Sequence, residues 1–158
     1  MDTTALEGRR FEDVTVGEEL PGADYPLTVY RLVMAAGANR DFNSIHHNTE
    51  YARKTGAPEM YANTQFLLGA WERCVRDWMG LAGQIRAIRG FRMRSFNVVG
   101  DTMRVRGEVK DARIDEEGRG VVEIAIRCEN SGGVTVGPGV VEVVLPRRGE
   151  EDACEEGA

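Results

Sequence analysis

The chain's two histidines, His46 and His47, both fall within one nine-residue stretch, RDFNSIHHN, residues 40–48. Asp41, Asn43 and Asn48 share it. Three kinds of chemistry fit those residue types. A metal could use Asp41, His46 and His47 as ligands. However, adjacent histidines point in different directions on most backbones, and no third histidine exists to complete a site. A purely structural loop would use Asn43 and Asp41 as turn formers and Asn48 as a helix cap. The third reading is acid/base chemistry. Asp41 and His46 stand five residues apart in an irregular segment, a spacing that lets a carboxylate and an imidazole flank one water molecule. Histidine is the side chain best placed to exchange a proton near neutral pH.

The elements around this loop follow from periodicity. A short helix is expected over residues 30–38, YRLVMAAGA, just before it. Asn48 caps a second short helix, TEYARKTG, closed by Gly56. The strongest helix runs from Thr64 to Met79, between an Asn63 cap and a Gly80 terminator. Leu67, Trp71, Cys74, Val75 and Trp78 recur at helical spacing and give it one apolar stripe. After Gly80 the period changes to two. TMRVRGEVK alternates Met103, Val105, Gly107 and Val109 with polar neighbours, and GVVEIAIRCEN puts Val122, Ile124, Ile126 and Cys128 on one face. VTVGPGVVEVVLP is apolar on both faces near its end, which points to a buried interface. An earlier strand is expected over residues 85–97. Short turns between four strands require an antiparallel sheet. The fold class is therefore α+β, one domain over residues 1–146 with an antiparallel sheet wrapped around one long central helix. Residues 147–158 read as a disordered acidic tail.

Composition limits the function. The chain has 158 residues, 42% hydrophobic and 29% charged, as expected of a single globular domain. A net charge of -6 argues against a nucleic-acid partner. No apolar run approaches the ~20 residues that span a bilayer, and the first residues lack the apolar core of a secretory signal, so no membrane partner is expected. Cys74, Cys128 and Cys154 form neither a disulfide framework nor a metal knuckle. These features predict a cytoplasmic protein with no bound metal.

FEDVTVGEEL, RDFNSIHHNTEYARKTG and GDTMRVRGEV, taken in order, resemble the MaoC-like dehydratases, the hotdog-fold (R)-specific enoyl-thioester hydratases. The family signature Asp-x-Asn-x-x-His, followed by a helix containing EYA, falls here on Asp41, Asn43 and His46. The resemblance spans residues 11–145. It implies hydration of a trans-2-enoyl-CoA to an (R)-3-hydroxyacyl-CoA, or the reverse, in fatty-acid or steroid side-chain metabolism. His46 would be the base that activates water, Asp41 the partner that passes a proton, and Asn43 the residue that orients the site. The start of the long helix, Asn63 and Thr64, would stabilise the thioester oxygen. No cofactor is implied beyond coenzyme A as part of the substrate, although an acyl-carrier-protein thioester would serve equally.

Two departures stand out. Ala62-Asn63-Thr64-Gln65 replaces the family's AHGM, and Ser44 replaces the proline of NPIH. MYANTQFLLGAWERCVRDW is similar to an actinobacterial-type branch that includes proteins acting on steroid side-chain CoA esters. Arg86, Arg89 and Arg92 lie in the one basic cluster and are candidate contacts to coenzyme A phosphates. A homodimer, or a heteromer with another MaoC-like subunit, is expected. The alternatives are a pocket-shaping, non-catalytic subunit of a heteromeric hydratase, or a hotdog thioesterase.

Overall fold

Asn63 and Gly80 bound the longest helix as its sequence predicts. A computed structural model describes residues 8–149. In it the Asn63 side chain accepts from the Phe66 amide at 3.0 Å, and Gly80 takes φ 75°, a left-handed conformation that costs glycine little. The elements in chain order are β1 (Ala23–Pro26), α1 (Val29–Ala38), α2 (Thr49–Lys54), α3 (Thr64–Met79), β2 (Gln84–Arg89), β3 (Thr102–Ile114), β4 (Gly120–Asn130) and β5 (Gly133–Leu145). All strand pairs are antiparallel, and the sheet order is β1-β3-β4-β5-β2.

The sheet curls around α3, whose 16 residues make a rod of about 24 Å. Every member of its predicted stripe is buried, against Met103, Val105 and Val109 of β3, Val122, Ile124 and Ile126 of β4, and Val141, Val143 and Leu145 of β5. Each fully buried aliphatic side chain in this core contributes roughly 1.5–3 kcal/mol relative to exposure. Trp71 packs against Gly137 and Gly139 of β5. A Cβ on Gly139 would sit 2.8 Å from the indole and 2.5 Å from the Arg89 carbonyl, so only glycine lets β5 pass there. At the far end of α3, the Trp78 indole donates to Glu18 Oε1 at 2.7 Å and the Arg9 guanidinium stacks on its ring. These contacts hold the N-terminal segment against the helix.

The structure differs from the sequence reading in three places. The strand expected over residues 85–97 ends at Arg89, because Gly90 turns at φ 69°. The following residues cover the start of α3 instead: Phe91 packs edge-on against Trp71, Phe96 against Tyr61, and the Asn97 carbonyl accepts from the Ala62 amide at 2.9 Å. The sheet also has a fifth strand, β1, too short and too close to a proline to show a period. Finally, the two-sided apolar run of β5 is divided. Val141, Val143 and Leu145 face α3, while Val140 and Val144 flank Glu142 on the outer face. Glu142, 5% exposed, meets Arg86 at 3.4 Å, Arg89 at 3.3 Å and Arg113 at 3.6 Å.

Of the predicted acidic tail, residues 147–149 are described and the remainder lies outside the described residues. Arg147 meets Glu12 at 3.6 Å, Arg148 pairs with Asp13, and the Arg148 amide donates to Glu12. These contacts hold the Glu12 carboxyl below its usual range, with the Arg148 amide foremost. No helix among the described residues is long and apolar enough to cross a membrane.

Candidate active site

The loop between α1 and α2 is shaped so that one histidine turns inward. Asn39 caps the end of α1, and Arg40 then adopts φ 55°, a left-handed turn uncommon for a residue with a side chain. The Asp41 amide bonds back to the Ala36 carbonyl at 2.9 Å, which anchors Asp41 to the helix end. Asn43 accepts from the Ile45 amide at 3.3 Å and caps a single 3-10 turn, Ser44–His46. Asn43 therefore orients the turn that carries His46. Asn48 then caps α2 through the Tyr51 amide at 2.9 Å. His47 is exposed and approaches only the Phe42 carbonyl.

His46 is 5% exposed, its ring edge-on to Tyr61. Its Nδ1 lies 2.8 Å from the Tyr61 carbonyl, and its Nε2 lies 3.1 Å from Asp41 Oδ2. A carbonyl oxygen only accepts, so Nδ1 carries the hydrogen. A carboxylate also only accepts. A hydrogen bond between Nε2 and Oδ2 therefore needs one proton, held by either the ring or the acid. Such a pair can take a proton from a water and return one to a substrate.

The start of α3 adjoins this pair. Asn63, buried, accepts from Asn39 Nδ2 at 3.4 Å as well as from the Phe66 amide, which ties the dyad loop to the helix. Its main-chain carbonyl takes the Leu67 amide at 3.2 Å. The amides of Thr64 and Gln65 come before the first acceptor that a helix provides. The Thr64 hydroxyl faces the Met93 sulfur at 3.8 Å. Asn63 Nδ2, both polar side-chain atoms of Asn97, and Thr135 Oγ1 are buried without a protein partner. Buried amides of this kind are rarely left unpaired. Together these groups make the helix start a place for a polar ligand atom, with partial positive charge from the helix behind it.

The structure thus pairs Asp41 with His46 and ties Asn63 to their loop through Asn39, while Asn43 caps the turn that carries His46 and Thr64 follows Asn63 at the helix start. It does not bring Arg86 and Arg89 to them. Both lie on β2 and neutralise Glu142 on the outer face. Arg92 is exposed on the segment after Gly90, beside Met93 and Arg94. There Tyr61, Met93, Arg94, Ser95 and Phe96 line a cavity of about 210 Å³. Sequence reasoning missed Asn39, Tyr61 and Asn97. Tyr61 acts through its main-chain carbonyl, which no side-chain pattern reveals. Asn97 shows one available signal, an asparagine before the apolar pair Val98-Val99. Among the described residues, no group of three or more His, Cys, Asp or Glu is arranged to hold a metal.

Scanned against profiles of known protein families, the chain matches none. A curated relative, the 3-oxo-4,17-pregnadiene-20-carboxyl-CoA hydratase beta subunit of Mycobacterium tuberculosis, is 33% identical over 78 residues, 49% of this chain. The match spans 60% of that relative's length. A chain of the ChsH1-ChsH2 complex from Mycobacterium tuberculosis superposes with a TM-score of 0.75 at 27% identity, covering 84% of this chain and 98% of that one. The (R)-hydratase PhaJ1 from Pseudomonas aeruginosa superposes at 0.76 with 20% identity, over 89% and 88%. The fold is therefore the hotdog of the hydratase class. Its structure neighbours include a MaoC-like dehydratase, and its mycobacterial relative is a hydratase subunit.

Proposed function

We propose that this chain adds water across C2 and C3 of a trans-2-enoyl thioester to give an (R)-3-hydroxyacyl thioester, and catalyses the reverse loss of water. The observation that carries this reading is the 3.1 Å contact between His46 Nε2 and Asp41 Oδ2, with Nδ1–H fixed on the Tyr61 carbonyl. With the pair's proton on Asp41, a water held beside the two groups gives one proton to Nε2 as its oxygen bonds to C3. The C2=C3 electrons move toward the thioester carbonyl, and Asp41 delivers a proton to C2. The charge that grows on the thioester oxygen meets the amides of Thr64 and Gln65 at the start of α3. A helix N-terminus already has its dipole oriented toward that charge.

The thioester tail leaves through the cavity beside Tyr61, where Arg92 meets the phosphates of coenzyme A. A coenzyme A ester as substrate, no separate cofactor and a cytoplasmic location belong to the same proposal. The name of the curated relative supports a bulky acyl group.

A second reading makes this chain one subunit of a heteromeric hydratase. Apolar side chains exposed near the dyad loop favour it: Tyr30 and Phe42 are each 74% exposed, with Met34, Met93 and Phe96 also uncovered. The names of the mycobacterial relatives point the same way.

Incubation of the full chain with a trans-2-enoyl-CoA in ¹⁸O-water tests the main reading. Label should enter the C3 hydroxyl as the conjugated absorbance falls. No label above the buffer control, with the chain alone and with a MaoC-like partner, would overturn it.

A further inference from the structure

Tyr61 meets the dyad through both its main chain and its side chain. Its amide donates to the Ile45 carbonyl at 3.3 Å, and its carbonyl accepts from His46 Nδ1 at 2.8 Å, so the residue spans the turn that carries His46. Its ring stands edge-on to the imidazole, with centroids 5.2 Å apart and planes at 81°. The same ring packs against Phe96 at 4.7 Å. Tyr61 also lines the cavity of about 210 Å³, together with Met93, Arg94, Ser95 and Phe96. The cavity therefore begins one ring away from His46.

The main-chain bonds and the ring packing account for the backbone and the phenyl group of Tyr61. Neither uses the hydroxyl. Tyr61 is half-buried, and its hydroxyl has no hydrogen-bond partner among the described residues. Burial first, and then the charge of Asp41, push the phenol above its usual range, so at neutral pH it stays an O–H donor. The cavity wall is otherwise apolar at Met93 and Phe96, and the Arg94 Nε is committed to the Gly137 carbonyl. Such a lining suits a narrow, mostly apolar chain interrupted by a polar group.

We infer that the Tyr61 hydroxyl is a specificity-determining donor that binds the carrier arm of the thioester, at the amide carbonyl nearest the sulfur. The inference rests on the hydratase reading and deepens it. With C3 at the dyad, the arm runs from C1 through sulfur and two methylenes to that amide, on the order of 9 Å from C3 when extended. The amide thus reaches past the 5.2 Å between the two rings, into the cavity. It is the first polar group beyond the thioester. Coenzyme A and acyl carrier protein share this arm, so the contact serves either carrier.

Ligand-observed NMR titration tests this without turnover, using the full chain with its partner if it has one. The probes are saturated butyryl thioesters of N-acetylcysteamine, which keeps the amide and little else, and of butanethiol, which lacks it. Wild type should bind the N-acetylcysteamine ester more tightly. Tyr61→Phe keeps the ring and the carbonyl, and should shrink that preference by about three- to tenfold, the worth of one neutral hydrogen bond. Tyr51→Phe, on the exposed side of α2, should leave it unchanged. Butyryl esters of coenzyme A and of acyl carrier protein separate the two carriers, and Tyr61→Phe should weaken whichever binds by the same factor. Circular dichroism confirms that each variant folds.

An unchanged preference in Tyr61→Phe, or no binding of the N-acetylcysteamine ester by wild type, would overturn the inference even if crotonyl-CoA is hydrated. A loss confined to the coenzyme A ester would set the hydroxyl against the nucleotide and overturn it as well. The expected loss without hydration of any enoyl thioester would sustain the contact and sink the hydratase reading.

Discussion

On the outer face of the sheet, Glu142 lies against three guanidinium groups; beside the start of α3, Asp41 lies against a single imidazole. Both are carboxylates next to cationic or potentially cationic side chains, and the two settings do different work. The charge of Glu142 is compensated by three arginines from two other strands. Arg86 and Arg89 come from β2 and Arg113 from β3, and they join four neighbouring strands across one face. Nothing there has a proton to move. At Asp41 one proton lies between two possible holders, and the other ring nitrogen is already committed to Tyr61. Surplus cations make a structural clamp, whereas a one-to-one pair with a fixed tautomer makes a proton-transfer device.

The largest expected effect breaks that comparison at the dyad. Asp41→Asn and His46→Ala should each lower the hydration rate of a trans-2-enoyl-CoA by ~10²–10⁴-fold with the fold retained, since a positioned acid or base is typically worth that much. Steady-state rates within tenfold of wild type would remove both groups from the chemistry.

Glu142→Ala should do the reverse. It leaves three half-exposed arginines without their shared partner and should cost about 1–3 kcal/mol of stability, read as a lower urea midpoint, while the rate per folded molecule stays within a fewfold. A large rate loss with unchanged stability would mean that the outer face takes part in catalysis.

Asn63→Ala sharpens the contrast at the boundary of the site. It removes the α3 cap, worth ~1 kcal/mol, which for a domain of this size lowers the melting temperature by about 2–4 °C. It also frees Asn39. The hydration rate should therefore fall along with stability, unlike the Glu142 variant.

The smallest expected effects are nulls. EDTA should leave activity unchanged, and recovery of lost activity with a divalent ion would reinstate a metal. Burial pushes the Cys74 thiol up to about 11 and the Cys128 thiol up to about 12. At pH 8 in the folded protein both should resist a thiol reagent and react only on unfolding. Fast modification of either would show that the core around Trp71 opens readily.

What the sequence revealed, and what it hid, follows the same physical division. The helix from Thr64 to Met79 was legible to the residue, because a cap, a stripe and a terminator all agreed there. Strands β3 and β4 were legible because one face of each is wet. The segment after Gly90 looked like more strand, since alternating arginines give the same period whether or not a backbone ladder forms. Only the φ of Gly90 and the packing of Phe91 and Phe96 decided otherwise. The dyad was legible through the spacing of Asp41 and His46 and the family signature. Its tautomer was not, because it depends on the carbonyl of Tyr61, 15 residues further along the chain. The pairing of Arg86 and Arg89 was hidden, because sequence shows which charges are near in the chain and says nothing of Glu142 across a strand pair.

The central claim is that one proton is shared between His46 and Asp41 while Nδ1 stays protonated on Tyr61. Nitrogen-15 NMR of ring-labelled histidine reads this directly, and with two histidines in the chain, His46→Ala assigns the signals. The account predicts a protonated Nδ1 in His46 and an Nε2 resonance that shifts clearly in Asp41→Asn. An unprotonated Nδ1, or an Nε2 resonance indifferent to Asp41→Asn, would contradict it.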